Sequence, residues 1–176
     1  YVSGTPGDAR AALAVMNGQW PGSGQYKEYL LKRFYRPSAR IDLGRQLRGV
    51  ASSAIDLSDG LLADAGHLCE RSGVGIAIEA GRVPMSAALQ SLADPQQALA
   101  WALSGGDDYE LLFTVPADKA EQVPANCSRI GTVVAGDSVS CDVDVEQTGY
   151  QHFAVTTQSV PAASGISANS ADSSTL

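Results

Sequence analysis

The chain has 176 residues, 44% of them hydrophobic, with 19 acidic side chains against 12 basic ones for a formal charge of -7. At roughly 150 residues per domain, that length and apolar content predict one domain with a real core. The acidic balance opposes a sequence-independent grip on nucleic-acid phosphates, and no apolar run approaches the roughly 20 residues of a spanning helix, so neither nucleic acid nor membrane is an expected partner.

The chain opens on Tyr1-Val2-Ser3, strand-like residues that run into the turn Gly4 to Gly7 without a Met, and it reads as a fragment whose missing neighbour shares in the function. Asp8 stands as an N-cap before the apolar-periodic stretch Ala11, Leu13, Ala14 and Met16, a helix ending near Gly18. Trp20 to Gly24 is a Pro/Gly loop, and Glu28 to Phe34 predicts a second helix that Pro37 stops. Leu43 to Leu47 forms another turn or two before Gly49. Basic residues gather here, at Lys32, Arg33, Arg36, Arg40, Arg45 and Arg48, either as a solvated face or as a patch facing an anionic ligand.

Val50 to Leu57 reads as a buried strand, Ser58-Asp59-Gly60 as a turn, and Leu61, Leu62, Ala65 and Leu68 as the apolar face of a helix closed by Gly73. Val74 to Glu79 predicts a strand, and Ser86 to Leu92 and Pro95 to Leu103 predict two helices, the latter with Pro95 in its first turn. Tyr109 to Val115 is a strand, Asp118 to Val123 a short helix, and Arg129 to Val134 and Val139 to Val145 complete the strands. The fold class expected is α/β of the α+β type, a mixed β-sheet flanked by helices, over residues 1–153. Residues 154–176 form a Ser-, Ala- and Thr-rich tail with no period and no assigned role. Cys69, Cys127 and Cys141 include no C-x-x-C pair and read as small, partly buried apolar residues in a reducing cytoplasm.

No phosphate loop of the G-x-x-x-x-G-K-[ST] type, no H-E-x-x-H and no complete G-x-G-x-x-G is present. His67 reads as a helix-surface or packed residue, and His152 stands beside an aromatic pair near the end. Two clusters put carboxylates where a strand gives way to a turn. In the first, Ile55-Asp56-Leu57-Ser58-Asp59-Gly60, Asp56 lies in an otherwise apolar segment, where an unpaired charge is costly, so a compensating cation is expected. Asp56, Asp59 and the Ser58 hydroxyl are hard oxygens suited to Mg²⁺, and the helix opening at Gly60 aims N–H groups at an anion. The other reading has Ser58 or Asp59 capping the helix and Asp56 paired with an arginine. The second cluster is Leu103-Ser104-Gly105-Gly106-Asp107-Asp108-Tyr109-Glu110-Leu111. Its three acids within four residues require a cation or hydrogen-bond donors among them, unless the run is a polar loop capping a strand. Two such clusters in one acidic domain suggest metal-assisted phosphate chemistry.

Arg36-Pro37 to Arg40, the run from Ser53 to Leu61, the run from Leu103 to Leu111, Ile130-Gly131 and Gly149-Tyr150-Gln151-His152-Phe153 occur in an order that resembles the thiamine-monophosphate kinase family of the aminoimidazole-ribonucleotide-synthetase-like superfamily. The resemblance covers about residues 1–153 and corresponds to the carboxy-terminal domain. It implies ATP-dependent phosphorylation of thiamine phosphate to thiamine diphosphate by direct in-line transfer with Mg²⁺, in a cytoplasmic enzyme that is a homodimer at full length. By the same resemblance Asp56 and Asp59 ligate Mg²⁺, Ser58 contacts ATP, and Asp107 and Phe153 bind thiamine phosphate. The family usually has Glu where this chain has Asp107, so that contact becomes longer or water-mediated. The amino-terminal domain of the family supplies the other half of the site, and this fragment alone is expected to be inactive. The rival readings are another superfamily synthase or ligase acting through an acyl or amide phosphate, and a binding domain that retains only the fold.

Overall fold

The computed structural model describes residues 1–20 and 24–144. Two sheets, flanked by helices, realise the expected mixed α and β architecture. The first sheet is antiparallel and contains β1 (Val2–Ser3), β2 (Ser53–Asp56), β4 (Leu111–Thr114) and β5 (Cys127–Ser128), in the order β2-β4-β1-β5. The second is mixed, with β3 (Gly75–Ile78) antiparallel to β6 (Gly131–Val134) and parallel to β7 (Val139–Cys141). Strand β1 is only two residues long, yet it sits inside its sheet. Val2 pairs with Leu112 on one side and with Ser128 on the other.

Among the described residues six α-helices flank the sheets: α1 (Asp8–Met16), α2 (Gly24–Tyr35), α3 (Ile41–Gln46), α4 (Leu61–Ser72), α5 (Ala87–Leu92) and α6 (Pro95–Ser104). Short 3₁₀ turns lie at Ala80–Arg82 and Ala117–Gln122, the second where a short helix is predicted. Helix α1 buries Ala9, Ala11, Ala12, Ala14 and Val15, small side chains that let it lie close to its neighbours. A β-carbon on Gly7 would come within 2.8 Å of the Ala102 backbone of α6. The main core joins these alanines to Leu30, Leu57, Leu61, Leu89, Leu103 and Leu112, and a smaller cluster gathers Leu43 and Leu47 around Phe113. Cys69 is buried, and Cys127 and Cys141 are half-buried free thiols. Among the described residues no helix is long and apolar enough to cross a membrane.

Local signals place the helix starts well. Ser86 caps α5 by accepting the Leu89 N–H at 3.0 Å, and Asp94 caps α6 by accepting from Gln96 and Gln97 with Pro95 next in line. Asp94 is on the surface and touches no core, so Asp94→Ala is expected to lower stability by about 1 kcal/mol, the usual worth of an N-cap; the urea midpoint reads it directly. Strand β2 departs from expectation. It occupies Ser53–Asp56 of the predicted Val50–Leu57, because Val50 and Ala51 fold back to the Leu47 carbonyl at the end of α3. It is also an edge strand, with Ala54 and Asp56 exposed and Ser53 and Ile55 half-buried.

Candidate functional site

The two acidic clusters meet. Strands β2 and β4 pair with Asp56 opposite Leu111, and the pairing continues past both strand ends. The Leu57 N–H donates to the Glu110 carbonyl (2.8 Å), the Tyr109 N–H to the Leu57 carbonyl (2.8 Å) and the Asp107 N–H to the Ser58 carbonyl (3.0 Å). Glycine makes this possible. A β-carbon on Gly60, whose φ is +121°, would come within 2.7 Å of the Ser104 carbonyl oxygen, and one on Gly106 would overlap the Ser58 carbonyl. Asp56, Ser58, Asp59 and Asp107 therefore lie on one pair of interlocked turns.

Asp56 is exposed at the end of an edge strand, which corrects the expectation that a buried charge there demands a compensating cation. Water solvates it. The rival reading fails as well: α4 is capped at Gly60 with no side-chain hydrogen bond, and no arginine pairs with Asp56 among the described residues. The N–H groups of the turn that leads into α4 are taken by a residue that the sequence alone does not single out. Asp64, in the first turn of α4 and 1% exposed, accepts the N–H groups of Ser58 (3.0 Å), Asp59 (3.2 Å) and Gly60 (3.1 Å) on one carboxylate oxygen. Burial pushes its carboxyl up, against the pull of those three donors. Its position one turn inside a helix that opens on Gly60 was the available signal.

Asp59, Asp64 and His67 bring carboxylate oxygens and an imidazole nitrogen within 4.8 Å of one another, with Asp59 Oδ2 at 4.0 Å from His67 Nε2. The oxygens of Asp56 and Asp59 are the hard donors that Mg²⁺ takes in ones and twos beside substrate phosphates, so the residues fit that ion.

The acids after the double glycine divide by alternation. Asp107 and Tyr109 face outward, while Asp108 (2% exposed) and Glu110 (0%) face inward. Asp108 accepts the Gly7 and Ala9 N–H groups and so caps α1 from 101 residues away. This corrects the assignment of Asp8 as the cap. Gly7 takes that position in a left-handed conformation, and Asp8 is buried, accepting from Thr5, Tyr29 and Ser86 hydroxyls. Glu110 accepts from Arg40 Nε (2.7 Å) and Nη2 and from the Ser3 hydroxyl, and forms an ion pair with Arg33 Nη2 at 3.0 Å. The donors anticipated among the acids are thus two arginines and backbone N–H groups. Desolvation pushes the Glu110 carboxyl up, but those hydrogen bonds and charges outweigh it and hold it below its usual range. The basic cluster is accordingly divided. Arg33 and Arg40 are engaged inside, while Lys32 and Arg36 are exposed at a cleft of about 430 Å³.

Burial raises the Asp108 carboxyl to about 7, against the two N–H bonds that lower it. The folded form then holds its proton more tightly than the unfolded chain, so each step upward in pH between the unfolded value and about 7 removes stability. Between pH 5 and 6 the expected loss is about 1 kcal/mol per pH unit. Asp64, also raised by burial, adds to the same sign. Urea midpoints at pH 5 and 6 for the wild type and Asp108→Asn check this: a slope equally steep in the variant removes Asp108 as its cause.

The profile of the family described as AIR synthase related protein, C-terminal domain, matches residues 2–144. The chain belongs to this family. This AIR synthase related domain is 44% identical over 170 residues to the thiamine-monophosphate kinase of Escherichia coli K12, covering 88% of the chain and 52% of that protein. It is 38% identical over 156 residues to the enzyme of the same name from Aquifex aeolicus, covering 87% and 51%. Among solved structures, AaThiL complexed with AMPPCP and TMP matches with a TM-score of 0.75 at 38% identity, over 86% of this chain and 50% of that one. The thiamine-monophosphate kinase of Stenotrophomonas maltophilia K279a matches with 0.74 at 40% identity, over 80% and 48%. The domain spans about half the length of the curated relatives it matches. Phe153 and the tail lie outside the described residues.

Proposed function

We propose that the chain is one half of the site of a cytoplasmic, homodimeric thiamine-monophosphate kinase, which transfers the γ-phosphoryl group of ATP to thiamine phosphate. The observation that carries this reading is the interlocking of the Asp56–Gly60 and Gly105–Leu111 turns, which sets Asp56, Ser58, Asp59 and Asp107 on adjoining turns and so supports a shared role for them. The names of the relatives support the activity. The complex of AaThiL with AMPPCP, in which a methylene group stands for the bridging oxygen of ATP, and with TMP, read as thiamine phosphate, supports both substrates.

In this reading Asp56 and Asp59 would hold Mg²⁺, and the ion would supply charge neutralisation for the nucleotide phosphates. Ser58 contacts the nucleotide. Asp107 orients thiamine phosphate, and Phe153 walls its ring. The bond between the γ-phosphorus and the β–γ bridging oxygen breaks as one forms to a phosphate oxygen of thiamine phosphate, leaving ADP and thiamine diphosphate. Phosphoryl transfer depends on positioning and electrostatics more than on covalent participation, so half of the cage is inactive alone. The test incubates the full-length protein that carries this domain, and the domain alone, with ATP, Mg²⁺ and thiamine phosphate. Thiamine diphosphate from the former and none from the latter is the expected result; nucleotide binding with no product from the former leaves a binding domain instead.

A further inference from the structure

Asp107 (φ +66°) and Tyr109 (φ +53°) are the two non-glycine residues with left-handed backbone among the described residues. Asp tolerates that region because its short polar side chain bonds locally, whereas a bulky aromatic there is a genuine outlier. The conformation is imposed from both sides. The Asp107 and Tyr109 N–H groups are tied to the Ser58 and Leu57 carbonyls, while Asp108 and Glu110 are anchored inside. Tyr109 recovers little of this cost by packing, since it is 38% exposed. Its hydroxyl donates instead to Asp107 Oδ1 at 3.2 Å. The Asp107 charge and that hydrogen bond raise the phenol, with a smaller contribution from Asp56. Tyr109 therefore stands beside the outward carboxylate of Asp107, in a conformation that folding alone would give to Asn or Gly.

We propose that Tyr109 is a positioning residue whose hydroxyl fixes the Asp107 carboxylate for thiamine phosphate, at a standing cost in stability. The inference rests on the function proposed above and adds to it a residue and a specificity determinant. A carboxylate with one oxygen held by a phenol has a single orientation in which to offer the other to a ligand, and freeing it loses that pre-organisation.

The test uses the full-length protein with Tyr109→Phe and Tyr109→Asn, measuring thiamine phosphate affinity by calorimetry, both KM values, kcat and the thermal midpoint. Tyr109→Phe is expected to weaken thiamine phosphate about tenfold, the scale of one hydrogen bond to a charged group, with the KM for ATP and the midpoint unchanged. Tyr109→Asn is expected to weaken it at least as much while raising the midpoint, because Asn adopts the left-handed region readily. Stability and affinity moving in opposite directions is the signature that a merely structural tyrosine cannot give. Wild-type affinity in Tyr109→Phe, or a lowered midpoint in Tyr109→Asn, overturns this inference and leaves the proposed function standing. A wild type that neither binds nor phosphorylates thiamine phosphate overturns both.

Discussion

Glu110→Ala is expected to lower stability by about 3–5 kcal/mol, the range seen when one partner of a buried ion pair is removed. The carboxylate is fully buried, accepts from Arg40 and Ser3 and pairs with the Arg33 charge, and Ser3 in turn accepts the Leu111 N–H at 2.9 Å. Truncation leaves the Arg33 guanidinium, whose side chain is only 13% exposed, without its nearer carboxylate, and Asp8 at 3.5 Å remains as its ion-pair partner. Arg40, at 31%, reaches water more easily and contributes less to the loss. The fit is close on the other side too, since a β-carbon on Gly4 would overlap the Glu110 carboxylate. Glu110→Gln keeps the shape and an acceptor, so it should cost clearly less than Ala. Guanidinium chloride unfolding of both variants decides the matter, and a loss below about 1 kcal/mol for Glu110→Ala, the scale of an ordinary surface pair, shows that the network is not what ties these turns together.

Asp56→Asn and Asp59→Asn should do the reverse, leaving the fold and removing the activity. Asp56 is exposed and the Asp59 side chain is 24% exposed, so amide for carboxylate should shift the unfolding midpoint within the roughly 0.5 kcal/mol usual for surface changes. The Asn side chain keeps the size and loses the charge that opposes Mg²⁺. Under the proposed function, in the full-length protein that carries this domain, each variant is expected to lower turnover by about a hundredfold or more, as loss of one preorganised electrostatic group does elsewhere, with partial recovery at high Mg²⁺. Near-wild-type rates in both would refute the assignment of these two residues to the metal.

What the sequence revealed and what it hid follow the distance over which each feature is determined. The caps at Ser86 and Asp94, the helix after Asp59-Gly60 and the turn at the double glycine depend on a few adjacent residues, and the chain spells them out. The partnership of the two acidic turns depends on residues some fifty positions apart, so each could be recognised while their contact could not. Asp56 was misjudged because its apolar neighbours suggested a central strand, whereas whether a strand lies at an edge is settled only by the sheet. The acids at 107, 108 and 110 looked alike as a run. Their separation into outward and buried members needs the left-handed backbone at Asp107 and Tyr109, and a tyrosine in sequence argues for a strand instead. Asp108 capping α1 had no local signature at all.

The insertion of β1 between β4 and β5 has a consequence for assembly and for force. Val2 precedes its partners Leu112 and Ser128 by more than a hundred residues, so filling the central slot of the sheet requires loop closure across nearly the whole domain. Any polypeptide joined upstream of Tyr1 is tethered to the middle of that sheet instead of its rim. A pull on the tether would load both flanking ladders together and reach the turn at Glu110 through Ser3, giving an attached neighbour a direct mechanical line to the turn that carries Asp107.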